Sequence, residues 1–184
     1  MNVTDRAKSI LLSPKTEWYI IETEHTPVST MLTAYVIPLS LIPAAFALLS
    51  GLLYLTIGFG IASAIIAIIT AVINFYISTY VIDALAPTFN SSKNINRSAQ
   101  LAGYSYTPTA VASILTLIPV LGGLAVFAGA VYAVYIMYLG IGPMKNTPED
   151  KQIVYVVVVI FVQLVVYFIL SSIFSALFLR SFFY

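Results

Sequence analysis

The chain has 184 residues, of which 60% are hydrophobic and only 8% charged, with a net charge of +1. Soluble domains carry about 25% charged residues, so water cannot solvate this surface and lipid must cover most of it. The near-neutral balance excludes a strong pull toward nucleic acid, and the absence of cysteine excludes disulfides and thiolate metal sites.

Residues 1–27 are polar enough to precede the membrane and contain no apolar stretch long enough for a cleavable signal peptide. Ser13-Pro14 is a helix start with proline in the first turn. Trp18 and Ile21 then fall at helical spacing opposite Lys15, Glu22 and Glu24. The pattern predicts a short amphipathic helix on the membrane surface, with Trp18 and Tyr19 at headgroup level; the alternative is a disordered tail. His25 is the single histidine and suits no metal site.

The first apolar span covers 28–49 and contains Pro38 and Pro43, which predict a kink or local unwinding. Residues 51–60 read as a turn. The second span covers 57–85. Its Tyr76, Tyr80 and Asp83 are spaced four and three apart, so they share a helical face expected to turn inward, away from lipid. A polar insertion holding Asn90, Lys93, Asn94 and Arg97 follows. The third span, 103–118, is only about 23 Å of helix and short for a crossing. The fourth covers 121–140; with the third it forms a hairpin, or, in the second reading, a re-entrant pair. Tyr132, Tyr135 and Tyr138 repeat along it and require hydrogen-bond partners. After the polar segment 140–152, Thr147-Pro148-Glu149-Asp150 is a helix start, with threonine as cap. The fifth span covers 153–179, with Gln163 as its one strongly polar interior residue and Arg180, Phe182, Phe183 and Tyr184 as interfacial anchors.

The fold class expected is all-α: a polytopic integral membrane protein of five transmembrane helices after one interfacial helix. The division is 1–27, a cytosolic or interfacial segment, and 28–184, the membrane domain. With the N-terminus in the cytosol, Arg6, Lys8, Lys15, Lys93, Arg97, Lys145 and Lys151 lie inside and only Arg180 outside, a strong positive-inside bias.

Catalytic patterns are absent from the sequence. One histidine and no cysteine leave no Ser-His-Asp arrangement, no thiol dyad and no His-Glu-x-x-His. No cofactor and no metal are expected, and no enzyme. Asn74, Gln163, Ser113 and Thr116 are the few polar groups near mid-span, a thin set for transport, and a small transporter or channel, formed as an oligomer, is the alternative function. The small residues around the second and fourth spans permit close packing within the chain or a homo-oligomer.

Asp83-x-x-x-Pro87 followed by Gly103-Tyr104-x-x-x-Pro108 resembles the paired signature of the Yip family, membrane proteins named as interactors of Ypt/Rab GTPases. The family pattern is roughly Asp-Leu-Tyr-Gly-Pro, then Gly-Tyr-x-x-x-Pro; the middle of the first motif is here Ala84-Leu85-Ala86. Pro14, Trp18, Ile21 and Glu22 are similar to the N-terminal segment of bacterial and archaeal members. The resemblance implies a five-helix, non-enzymatic protein of the cell membrane that organises membrane or holds a membrane or cytosolic partner. The longer cytosolic domain of eukaryotic relatives has no counterpart in this sequence, which places a Rab partner in question. The expected site is a polar one at the cytosolic edge of the second and third spans: Asp83, Pro87, Gly103, Tyr104 and Pro108, with the Tyr104 hydroxyl reaching Asp83 and with Tyr76 and Tyr80 as the supporting face. The alternative use of the same residues is to cap and orient two helices.

Overall fold

Prolines and glycines cut the apolar sequence into helices, and where each cut falls decides which side chains meet. The computed structural model describes residues 2–183, with side chains through residue 169 other than that of residue 167. The described residues are mostly helical, with no strand among them. The expected anchors Arg180, Phe182, Phe183 and Tyr184 lie outside the described side chains.

The first 27 residues form two helices, α1 (Val3–Leu12) and α2 (Pro14–Glu22). Pro14 occupies the first turn of α2, where its missing N–H is no loss. The amphipathic reading of this segment misplaced its tryptophan. Trp18 does not face lipid headgroups; it is fully buried together with Ile10 and Ile21, while Tyr19 is exposed. The reason is the partner surface: Nε1 of Trp18 donates to the carbonyl of Ile136 at 3.0 Å. Its ring fills a slot left by Gly140, where a Cβ would lie 2.4 Å from Trp18 Cε2.

α3 (Val28–Tyr54) is the first of three helices long and apolar enough to cross a membrane. The unwinding expected from its prolines is a π-turn at Leu32–Val36, just before Pro38. There the N–H of Ile37 donates to the carbonyl of Leu32 five residues back, a widened turn that makes room for the proline ring. Pro43 is carried inside the helix without a break. Only Leu55 and Thr56 separate α3 from α4 (Ile57–Leu85), so the turn is far shorter than 51–60.

α4 has the expected bounds and is the second candidate span, extended to Phe89 by a 3-10 turn. Its inward face differs from the expected one. Phe75, Thr79, Ile82 and Asp83 are buried, whereas Tyr80 is 61% exposed. Tyr76 stacks on Tyr80 at 6.3 Å, half-buried beside it. Phe75 and Ile82 have more apolar area to bury than the tyrosines, and they set the rotation of the helix.

The end of the polar insertion is helix. Pro87 lies in the first turn of the 3-10 segment, Asn90 ends it in the left-handed conformation (φ 55°), and α5 (Ile95–Ser105) begins after Asn94. The Asn94 side chain caps α5 by accepting from the N–H groups of Asn96 and Arg97 at 3.1 and 3.2 Å. Gly103 and Tyr104 therefore stand near the end of a helix rather than opening one. Pro108 starts the next, α6 (Thr107–Ala112), which tightens into a 3-10 turn at Ser113–Leu117. The expected third span is thus a broken segment.

α7 (Leu121–Lys145) runs five residues past its expected end, through Pro143, and closes at Asn146 (φ 50°). It is the third candidate span. α8 (Glu149–Phe183) begins with the two acids as expected. Thr147 is not its cap; its hydroxyl donates to the carbonyl of Ile141 and accepts from Ser91 at 2.9 Å. Of the α7 tyrosines, Tyr132 donates to the carbonyl of Leu11 at 2.6 Å, which fastens α1 to the bundle.

The two ends of the bundle are distinct. At one, the N–H of Ser92 donates to the carbonyl of Lys145 at 2.7 Å, joining the loops after α4 and α7. At the other, the Tyr54 hydroxyl donates to the carbonyl of Leu117 at 2.8 Å. The broken α5–α6 segment consequently runs from one end to the other. Large apolar side chains stand exposed along α3, α4, α7 and α8, among them Leu53, Ile65, Phe127 and Phe161. Such a belt is rare on a soluble monomer and matches a lipid-solvated exterior.

Candidate functional site

α5 is the hub of the polar chemistry. Every residue from Ser98 to Ser105 is buried, yet the helix carries serine, glutamine and tyrosine. Most buried polar groups find a partner inside the fold; here the partners form two clusters, and Gln100 Oε1 and Ser105 Oγ are left without one.

The first cluster is centred on Lys145. Its side chain is fully buried, and that of Asp83 is 11% exposed. Lys145 Nζ lies 3.1 Å from Asp83 Oδ1 and donates to Ser98 Oγ at 2.7 Å and to the carbonyl of Asn94 at 3.2 Å. Ser98 Oγ in turn lies 3.2 Å from Asp83 Oδ1. All three donor positions of the ammonium are used. The pair ties the end of α4 to the end of α7 through the first turn of α5. Tyr155 of α8 donates to the carbonyl of Ile82 beside it, and its ring stacks on Phe89 at 4.6 Å.

The second cluster is centred on Arg6, in α1. Its guanidinium is buried and pairs with Glu17 and Glu24, while its Cζ lies 5.6 Å from the centroid of the Tyr104 ring. Burial disfavours the Arg6 charge, but Tyr104, Glu24 and Glu17 outweigh it, so its pKa stands above the ordinary arginine value. Tyr104 meets Tyr35 edge-on at 4.7 Å and Trp18 at 6.1 Å. The Tyr35 hydroxyl shares a 2.7 Å hydrogen bond with Thr107. The far end of α2 is held by α5 as well. Arg97 donates to the carbonyls of Ile21 and Glu24 at 3.2 and 3.3 Å, and Gln100 donates to Glu24 at 3.2 Å.

The expected bond between Tyr104 and Asp83 is replaced by these two sets of partners. Ser98, which touches Asp83, and Tyr104 are six residues apart on α5, about 9 Å along its axis, and they point to different faces. Gly103 does not serve Tyr104. A Cβ there would meet Met31 Cε at 2.4 Å and Val36 Cγ2 at 3.3 Å, so its role is the close approach of α5 to α3. Pro87 and Pro108 end one element and begin another, and Tyr76 and Tyr80 stand apart from both clusters. Sequence reasoning missed Lys145, Arg6 and Ser98. The one available signal was that a buried aspartate needs a counter-charge, and Lys93, Arg97, Lys145 and Lys151 competed for that place.

An all-helical bundle with a lipid-facing apolar belt and its ionic groups gathered inward defines a helical membrane protein. Its family is shown by sequence. The family model of the Yip1 domain matches residues 8–173, and the chain belongs to the Yip1 domain family. No curated protein and no solved structure matches it.

Proposed function

We propose that this protein is a non-enzymatic, multi-pass protein of the cell membrane that organises membrane or holds a partner at its cytosolic end. The observation that carries this reading is the Asp83–Lys145–Ser98 cluster, which closes on itself. Its groups hold three helices in register rather than forming a nucleophile–base pair. The five residues of the family signature then serve to present an ordered polar end, built around the loops at 90–94 and 146–148.

The five-pass topology with the N-terminus in the cytosol rests on the end-to-end course of the α5–α6 segment and on the length of α8. The chain contains no cysteine, so single cysteines report sidedness directly. Lys8→Cys, Lys93→Cys and Asp150→Cys are expected to react with an impermeant maleimide only when the cytosolic side is open. Thr56→Cys and Val120→Cys are expected to react from the opposite side. Labelling of Lys8→Cys and Lys93→Cys from different sides would overturn the topology.

The partner reading is tested in intact membranes with a photo-crosslinking amino acid at exposed Lys93. A discrete adduct is expected, lost in Asp83→Asn when the protein remains folded. Ion or solute flux in liposomes carrying the purified protein would instead establish a transporter.

A further inference from the structure

The middle of the bundle holds a cavity of about 340 Å³ that neither ionic cluster uses. This lies in the size range of small-molecule sites. It opens between α4, α7 and α8, over a floor formed by α5 and α6. Its walls are mostly apolar, but the lining includes the polar side chains of Asn74, Ser78, Ser105, Tyr106, Thr109 and Gln163. Gln163 Nε2 donates to Ser78 Oγ at 2.7 Å. Ser105 is 3% exposed, and its Oγ has no hydrogen-bond partner. Asn74 is exposed, and its side chain makes no hydrogen bond among the described residues. It lies nine residues below Asp83, about 13 Å deeper along α4. At that depth lipid tails offer nothing to an amide or a hydroxyl, and each unsatisfied group is costly.

We infer that this cavity binds a neutral, lipid-soluble amphiphile drawn from the bilayer, its hydrogen-bonding group among Asn74, Ser105 and Gln163 and its chain along the apolar wall. Neutrality follows from the lining, which contains amides and hydroxyls but no charged side chain; a carboxylate or phosphate would be buried here without a counter-charge. Entry follows from the exposure of Asn74 and Val134 on the lipid side.

The test uses the full chain in lipid nanodiscs and a diazirine-bearing C16 alcohol as the probe. Photolysis followed by peptide mass spectrometry is expected to place adducts on the cavity peptides of α4 and α7, displaced by unlabelled hexadecanol and not by the ionised C16 acid. Ala133→Phe, which fills the cavity, is expected to remove these adducts. Gln163→Leu, which removes one polar contact, is expected to raise the displacing concentration about tenfold. Adducts spread evenly over Phe127 and Phe161 on the lipid face, or unchanged in both variants, would overturn the inference. So would disulfide-linked dimers of Asn74→Cys at high yield, which would show a second copy covering the opening.

Discussion

Removing one partner of the Lys145–Asp83 pair leaves an uncompensated charge inside the fold, and the two single substitutions are not equivalent. In Asp83→Asn the ammonium of Lys145 remains fully buried, with Ser98 and Asn94 still accepting from it. In Lys145→Met the carboxylate of Asp83 is left with Ser98, but at 11% exposure it reaches some water. Breaking a buried pair from one side costs about 3–5 kcal/mol, so Asp83→Asn is expected near the upper end and Lys145→Met near the lower. The double variant removes both charges and is expected to cost no more than the worse single one, a coupling of about 3 kcal/mol. The assay is reversible unfolding by SDS in mixed micelles, followed through the emission of Trp18, the one tryptophan in the chain. Trp18 is fully buried against α7, so its spectrum reports whether the N-terminal helices are still docked. If the single effects sum in the double variant to within about 0.5 kcal/mol, the pair is not an interacting unit and the account of the first cluster fails.

Substitutions at three further positions probe the second cluster and the tryptophan slot. Arg6→Met leaves Glu17 buried without its cation and is expected to loosen α1 and α2; limited trypsin digestion at exposed Lys8 and Lys15 should accelerate at least tenfold, given about 3 kcal/mol lost. Trp18→Ala is expected to cost about 3–5 kcal/mol through cavity formation and Trp18→Phe less, with hydrogen exchange of the α2 amides as the readout. Gly140→Ala drives a methyl group to 2.4 Å from Trp18 Cε2 and 2.7 Å from Leu101 Cδ1; an overpacking loss of about 1–3 kcal/mol should appear as a lower thermal midpoint, partly restored by Trp18→Phe.

Composition and period carried the large features because lipid imposes a simple rule on long apolar runs. The bounds of α4, the start of α8 and the proline-linked distortion of α3 were legible for that reason. Facing was not. Tyr80 and Asp83 share a face by spacing, yet Phe75 and Ile82 decide the rotation, and a hydrophobic helix gives little periodic signal to show it. Trp18 was misread because an aromatic residue on a short amphipathic helix has the same pattern whether it meets headgroups or a glycine slot 122 residues downstream. The pairing of Asp83 was equally hidden: Lys93, Arg97, Lys145 and Lys151 are alike by type, and only the packing of α7 against α5 selects Lys145.

The signature residues acquire a common purpose once α5 is taken as the element they act on. Asp83 meets the first turn of α5 through Ser98, while Lys145 accepts the task of binding the carbonyl of its cap residue Asn94. Gly103 lets the last turn approach Met31 and Val36, and Tyr104 presents its ring to Arg6, Tyr35 and Trp18. Pro87 and Pro108 set where the chain enters and leaves the segment. Both halves of the signature thus grip one short, polar, buried helix from its two ends. Both clusters therefore bear on one helix, which holds α1 and α2 through Arg97 and Gln100 as well as Tyr104. If α5 moves as a rigid unit, a change at Lys145 reaches Tyr104 about 9 Å along it, and Lys145→Met is expected to shift Trp18 emission before global unfolding begins. Emission unchanged until the main transition would show that the two clusters stand independently.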